Sequence, residues 1–367
     1  MTWERIGEGF VSERQPDTPT PVAAGSRCAV TPDGSVVSTY MVQSALGIND
    51  FVPTLSRSTD GGASWVEEGP IWPHLQGRYS LFVSVSRSPG GDLFLYGSQT
   101  PIDEPGESFW NEATQGMKQN ELVWAKSTDG GRSWTEPHTI PVSIPGTAEA
   151  PGALCITRSG RWLGCYAPYN DLEASLEVDR GQIVLVRRDD EGKSWEHTAM
   201  LRFAQPDSSG AEAWVVELAD GRLLGTSWHM NLRGGDYPCA YALSENGGET
   251  WSPTRSTEIM GQTTALAPLS DGRALFLYCQ RKEGEVGIGM ARVHPSEEDF
   301  GVERREIIWR ADTVTQSQSG ADHAQWQDFA FGEPSATLLG DHTVLVTFWC
   351  VQPAGRGVRY VRLRMAE

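Results

Sequence analysis

The 367-residue sequence has no run of eighteen apolar residues and so offers no membrane-spanning helix. Its opening, Met1-Thr-Trp-Glu-Arg-Ile-Gly, has neither a basic cluster nor an apolar stretch, and no signal peptide is expected. Cysteine is sparse: Cys28, Cys155, Cys165, Cys239, Cys279 and Cys350. None stands in a CxxC or Cys/His pattern, and most lie in apolar, strand-like runs. That usage predicts reduced core thiols in a cytoplasmic protein. Positive charge is in the minority, with 30 Lys and Arg against 48 Asp and Glu and a net charge of −18. Without a basic patch, a nucleic-acid partner is excluded. A metal-ligand spacing, a phosphate loop and a dinucleotide fingerprint are all missing, so no cofactor and no metal are expected.

What the chain has in abundance is turn residues and tryptophan: 40 Gly, 22 Pro and 14 Trp. Four segments share the frame S-x-D-x-G-x-x-W, with variations: STDGGASW at 58–65, STDGGRSW at 127–134, RDDEGKSW at 188–195 and SENGGETW at 244–251. Their tryptophans stand 69, 61 and 56 residues apart. A repeat at such a period marks a modular, radially or linearly repeated fold. Asp, Asn and Ser bond their own backbone and tighten a turn, Gly supplies positive φ, and Trp anchors the turn to the body of the sheet. The segments are therefore read as structural hairpin devices.

A second repeat lies inside the first. Apolar runs flank D-G or S-G turns at 28–37, 154–163, 215–224, 266–275 and 335–345. Asp-Gly between alternating apolar runs is the strongest short hairpin signal. These pairs are read as the first two strands of successive units, with the tryptophan segments turning strand three into strand four. The second unit begins near Tyr79. The fifth lacks a tryptophan segment, and 287–293 and 304–309 take its place. Stretches 98–120, 167–180, 203–212 and 311–332 read as long loops over one face, where function often resides.

The S-x-D-x-G-x-x-W frame resembles the Asp box of the sialidase-like (BNR-repeat) families, which are β-propellers. The resemblance implies an all-β, six-bladed β-propeller of four-stranded antiparallel blades with Asp-box turns. About 60 residues per repeat over this length also gives six units. Residues 1–367 would form one domain, with strands near Trp3–Phe10 and 359–365 together closing the ring.

In a propeller the innermost strands line a central channel. Counting back from each D-G-type turn reaches Glu149, Glu212, Gln262 and Glu333, one polar residue at one recurring place. Converging carboxylates suit glycoside chemistry: one protonates the leaving oxygen while the other attacks carbon or activates water. The resemblance implies further roles. Asp50, upstream of the first Asp box, matches the loop acid/base. Glu212, before E-L-A-D-G-R-L-L, matches the residue that assists the nucleophile. Glu333 stands where the family has a Tyr nucleophile. Of the arginine triad that grips the sialic acid carboxylate, Arg27 and Arg281 match two members. Trp228-His229 stands where the other arginine is expected. Glu212 and Glu333 are the expected catalytic pair, with Asp50 and Glu149 behind them.

Substrate contacts are expected from Arg27, Arg78, Tyr79, Tyr166, Trp228, His229, Gln262, Arg281, His323 and Trp326, with Trp110, Tyr169 and Arg233 as further candidates. Aromatic rings stack on the C–H faces of sugars. The expected activity is an exo-acting glycoside hydrolase on a small carbohydrate or glycoside other than a sialoside. The alternatives are a lyase on uronate-linked sugars and a non-catalytic sugar- or protein-binding propeller.

Overall fold

The strands of the computed structural model gather into six sheets, described over residues 2–189, 194–282, 284–312, 330–340 and 342–366. The first sheet comprises Val22–Val30, Val36–Gln43, Val52–Ser58 and Val66–Pro70. The second comprises Tyr79–Arg87, Leu93–Pro101, Glu121–Ser127 and His138–Ile140. The fourth runs from Ser208–Glu217 through Leu223–Asn231 and Ala240–Ser244 to Arg255–Ser256. The fifth runs from Gln262–Pro268 through Ala274–Gln280 and Gly287–Val293 to Val302–Arg310. The sixth takes Ala330–Leu338, Thr343–Gln352 and Gly355–Ala366, and its outermost strand is Thr2–Arg14, paired antiparallel with Gly355–Ala366. Among the described residues the one helical element is a 3-10 turn at Pro73–Leu75. The architecture is an all-β propeller.

Five sheets, rather than six, are plain four-stranded antiparallel blades. The third has seven strands. Its inner strand is split into Thr147–Glu149 and Cys155–Ile156, both pairing with Trp162–Asp171. Pro151 falls in the gap and has no N–H to give to a ladder. A hairpin of Trp110–Asn111 and Gly116–Met117, inserted from the preceding unit, pairs in parallel with the end of Trp162–Asp171. The stretch 98–120 is thus part sheet rather than open loop, and Ser208–Ala211 belongs to a strand.

The sheets bury one another's faces. Leu55 and Val37 meet Leu81 and Leu93 between the first and second sheets, and Phe94 and Tyr96 meet Tyr166 and Val184 between the second and third. Covered on both faces, second strands read as nearly continuous apolar runs, and all of Thr343–Gln352 is buried. The innermost strands touch in sequence, and Val22–Val30 packs against both Tyr79–Arg87 and Ala330–Leu338.

At the rim, the tryptophan segments are local hydrogen-bonded turns. Asp60 Oδ1 accepts from the backbone N–H of Ala63 and Ser64 at 3.0 and 2.9 Å, and Ser58 Oγ accepts from Gly62 N–H at 2.8 Å. Asp129 repeats the pattern with Arg132 and Ser133, and Asn246 accepts from Thr250 N–H. These bonds hold both aspartates below the usual carboxylate range, Asp129 at about 2. The middle of the 188–195 segment lies outside the described residues.

Candidate functional site

A cavity of about 290 Å³ opens where the inner strands converge. Each sheet gives it a wall residue: Ala24, Phe82, Glu149, Glu212, Thr263 and Glu333 in turn. Four inner strands carry a bulge there, with the ladder slipping between Ala24 and Arg27, Ala211 and Trp214, Gln262 and Thr264, and Gly332 and Ser335. Within each bulge one residue has positive φ: Gly25 at 66°, Glu212 at 48°, Thr263 at 50° and Glu333 at 50°. The left-handed conformation is unfavourable for a side chain with a Cβ and is found where function holds it. The bulge re-aims the glutamates at the cavity instead of leaving them in the pleat. In the first sheet the matching residue must be glycine, since a Cβ on Gly25 would stand 2.3 Å from Met41 Cε.

Three carboxyl groups therefore share one enclosed space. Glu149 Oε2 accepts the backbone N–H of Glu212 at 3.0 Å. The Oε2 atoms of Glu212 and Glu333 are enclosed without a hydrogen-bond partner among the described residues. Burial pushes all three up. Glu149 reaches about 8, with Glu333 adding repulsion against the bond from Glu212 and the charge of Arg27. Glu212 is raised well above the ordinary range by burial and then by Glu333 and Glu149. Glu333 is raised by burial but held back by Arg27, by Gly25 N–H, by Arg281 and by Trp349. Crowded carboxyls cannot all ionise, so such a group separates into acid and base.

The expected arginines occupy unlike places. Arg27 is 2% exposed and is not on the cavity wall. Its guanidinium donates to the carbonyls of Ser26, Glu333 and Pro151 and lies 5.1 Å from the Trp214 ring. It braces the glutamates from behind. Arg281 is on the wall, 5.8 Å from the Trp228 ring.

Several expected contacts miss the cavity by one residue, because alternate residues of an extended chain face opposite ways. Asn49 and Phe51 line it, while the Asp50 carboxylate turns back to Ser44 N–H at 3.2 Å. Trp228 and Met230 line it, while His229 is buried between Phe203 and Tyr237 and bonded to Ser208 Oγ at 2.9 Å. Burial lowers His229 to about 4. Thr263 lines the cavity, while Gln262 bonds Arg281 N–H and Asp236. Tyr166 is in the core between sheets. Arg78 is exposed and stacks on the half-buried Tyr79, away from the wall. Arg233 pairs with Asp207 at the surface. Trp110 and Tyr169 do line the cavity. His323 and Trp326 lie outside the described residues.

Sequence reasoning missed Arg180, Lys118, Thr263 and Trp349, all on the wall. Arg180 and Lys118 sit in stretches flagged as loops, but nothing in their neighbours marks them. Among the described residues no three His, Cys, Asp or Glu gather to hold a metal.

The sequence model of the BNR repeat-like domain matches residues 73–329. A sialidase of Bacteroides fragilis (strain YCH46) is 25% identical over 288 residues, covering 61% of this chain and 53% of that protein. The chain thus spans about half the length of the curated relative it matches. Among solved structures, a protein of unknown function from Dyadobacter fermentans DSM 18053 superposes with a TM-score of 0.76 at 18% identity, over 99% of both chains. The Hadza microbial sialidase Hz136 gives 0.69 at 17% identity, over 98% of this chain and 68% of that one. The Penicillium chrysogenum α-L-arabinanase, solved with arabinobiose, gives 0.62 at 13% identity over 98% of each chain. At such identities the likeness establishes the fold, a sialidase-like β-propeller.

Proposed function

Because this chain belongs to the BNR repeat-like domain family, we propose that it is a carbohydrate-active enzyme, an exo-acting glycoside hydrolase working with paired carboxyl groups at the channel mouth. The reading takes the seven-stranded third sheet as a sixth blade and the pairing of the first and last strands as the closure of the ring. One observation carries the function: Glu149, Glu212 and Glu333 meet in one cavity with Arg27 and Arg281 beside them. The sialidase and arabinanase among its relatives agree with a sugar substrate.

The environments divide the labour. Glu333 has both arginines and the Gly25 N–H to stabilise its anion, so it is the ionised partner that attacks the anomeric carbon or activates water. Glu212 is kept protonated by burial and two neighbouring carboxyls, and donates its proton to the leaving oxygen. Glu149 is a positioning residue: its bond to Glu212 N–H pins the bulge that aims Glu212. Trp228 offers a ring face to the sugar. Asp50, bound to Ser44, takes no part.

The test is turnover of a panel of aryl glycosides and plant oligosaccharides by wild type, E212Q and E333Q. Each substitution keeps shape and removes the acid or the anion, so a loss of about 10²–10⁴-fold is expected in a folded protein. Wild-type rates in both variants would overturn the assignment.

A further inference from the structure

Arg180 is on the cavity wall, 9% exposed, and assigned to nothing above. It ends the segment after Trp162–Asp171 and is held from three sides. Nε donates to Ser209 Oγ at 3.3 Å and Nη1 to the carbonyl of Gln115 at 3.3 Å, and the guanidinium lies 4.4 Å from the Tyr169 ring centre. Its Nη2 is enclosed and has no hydrogen-bond partner among the described residues. Buried polar groups left unpaired are few and call for an explanation. Here the guanidinium is fixed in place by the inserted hairpin, by Tyr169 and by the fourth sheet, with donors left over beside a cavity.

The cavity's charge points the same way. The chain carries −18 overall, yet Arg180, Arg281 and Lys118 all line this wall. Lys118 is engaged by Asp103 and Glu107 at 2.7 and 2.5 Å. Arg180, by contrast, forms no ion pair with a carboxylate among the described residues; its partners are a hydroxyl, a carbonyl and a ring. A neutral sugar would leave the charge of Arg180 unanswered.

We propose that Arg180 is a specificity-determining residue and that the cavity takes a saccharide bearing a ring carboxylate, of the uronate class, whose anion pairs with the Arg180 guanidinium. A planar fork fits a carboxylate and has less affinity for a hydroxymethyl group. The inference rests on the carbohydrate reading above and narrows its substrate. Arg180, Tyr169, Glu149 and Glu212 all line the same cavity, with the guanidinium over the Tyr169 ring.

The test is calorimetric titration of the full chain with matched pairs: methyl glucuronide against methyl glucoside, and methyl galacturonide against methyl galactoside, each as both anomers. In at least one pair the acid member is expected to bind about tenfold or more tightly than its neutral partner. R180Q should bring that ratio close to one. R180K, which keeps the charge and loses the fork, should lower the ratio about threefold or more. Equal binding within every pair overturns this inference and leaves the carbohydrate reading standing. Binding by no member overturns both. A ratio unaltered in folded R180Q, or in R180K should R180Q not fold, also overturns it.

Discussion

The backbone N–H of Glu212 donates to the side-chain carboxyl oxygen Oε2 of Glu149 at 3.0 Å, joining two residues 63 positions apart in the chain. The bond crosses from the broken inner strand of the third sheet to the bulge of the fourth. It holds a residue of φ 48° in place, and it sets Glu149 among the other buried carboxyls.

Glu149 makes the fold sensitive to pH. Its carboxyl rises from 4.5 to about 8 on folding. A raised acid binds its proton more tightly in the fold. Its contribution to stability is therefore complete below about pH 4.5 and is lost as pH rises through about 8. Glu212 and Glu333 act with the same sign. Wild type should melt lower at pH 8.5 than at pH 5.5, and E149Q should show a shallower decline. Parallel melting curves for the two proteins across that range would contradict the electrostatics.

Catalytic carboxyls that repel one another cost stability, so removing one should stabilise the protein while disabling it. E212Q is expected to melt above wild type at pH 8 while its turnover falls about 10²–10⁴-fold. Thermal melts and rates on the same preparations check this. A variant that is both less stable and fully active would sink it.

The rim turns should govern stability alone. Asp129 accepts from two backbone N–H groups and from Ser133 Oγ. D129A should cost about 1–2 kcal/mol through those bonds, with turnover unchanged at a permissive temperature. Asp129 is depressed to about 2, so its contribution is present above about pH 4 and fades as pH falls towards 2. Denaturant titration at pH 7 and pH 2.5 measures both effects. Loss of rate in folded D129A would show that the turn reaches the site.

Aryl sialosides should be poor substrates. Arg27 is sealed behind the wall with its Nη atoms on three carbonyls, Trp228 takes the wall position where another arginine was expected, and Arg281 stands alone of the expected set on the wall. With Arg180, the wall carries two guanidinium groups, and two grip a carboxylate less firmly than three. Efficient release from an aryl sialoside, with kcat/KM of about 10⁴ M⁻¹s⁻¹ or above, would refute this.

The sequence by itself determined whatever is settled by neighbours in the chain. The S-x-D-x-G-x-x-W turns close through bonds between residues two to four apart, as in Ser58, Asp60 and Ser64. Their recurrence, with the D-G hairpins, carried the propeller and brought Glu149, Glu212 and Glu333 within reach by counting. Tertiary structure decided which side of a strand faces the cavity. One residue separates Gln262 from Thr263, Asp50 from Asn49 and His229 from Trp228. A bulge that shifts register by one reverses the outcome, and where a bulge falls depends on the neighbouring sheets. Arg180 was silent for a related reason: its partners Gln115 and Ser209 lie 65 and 29 positions away in the chain. Only packing brings them to one wall, and no local pattern in the chain records a contact that the chain makes at such range.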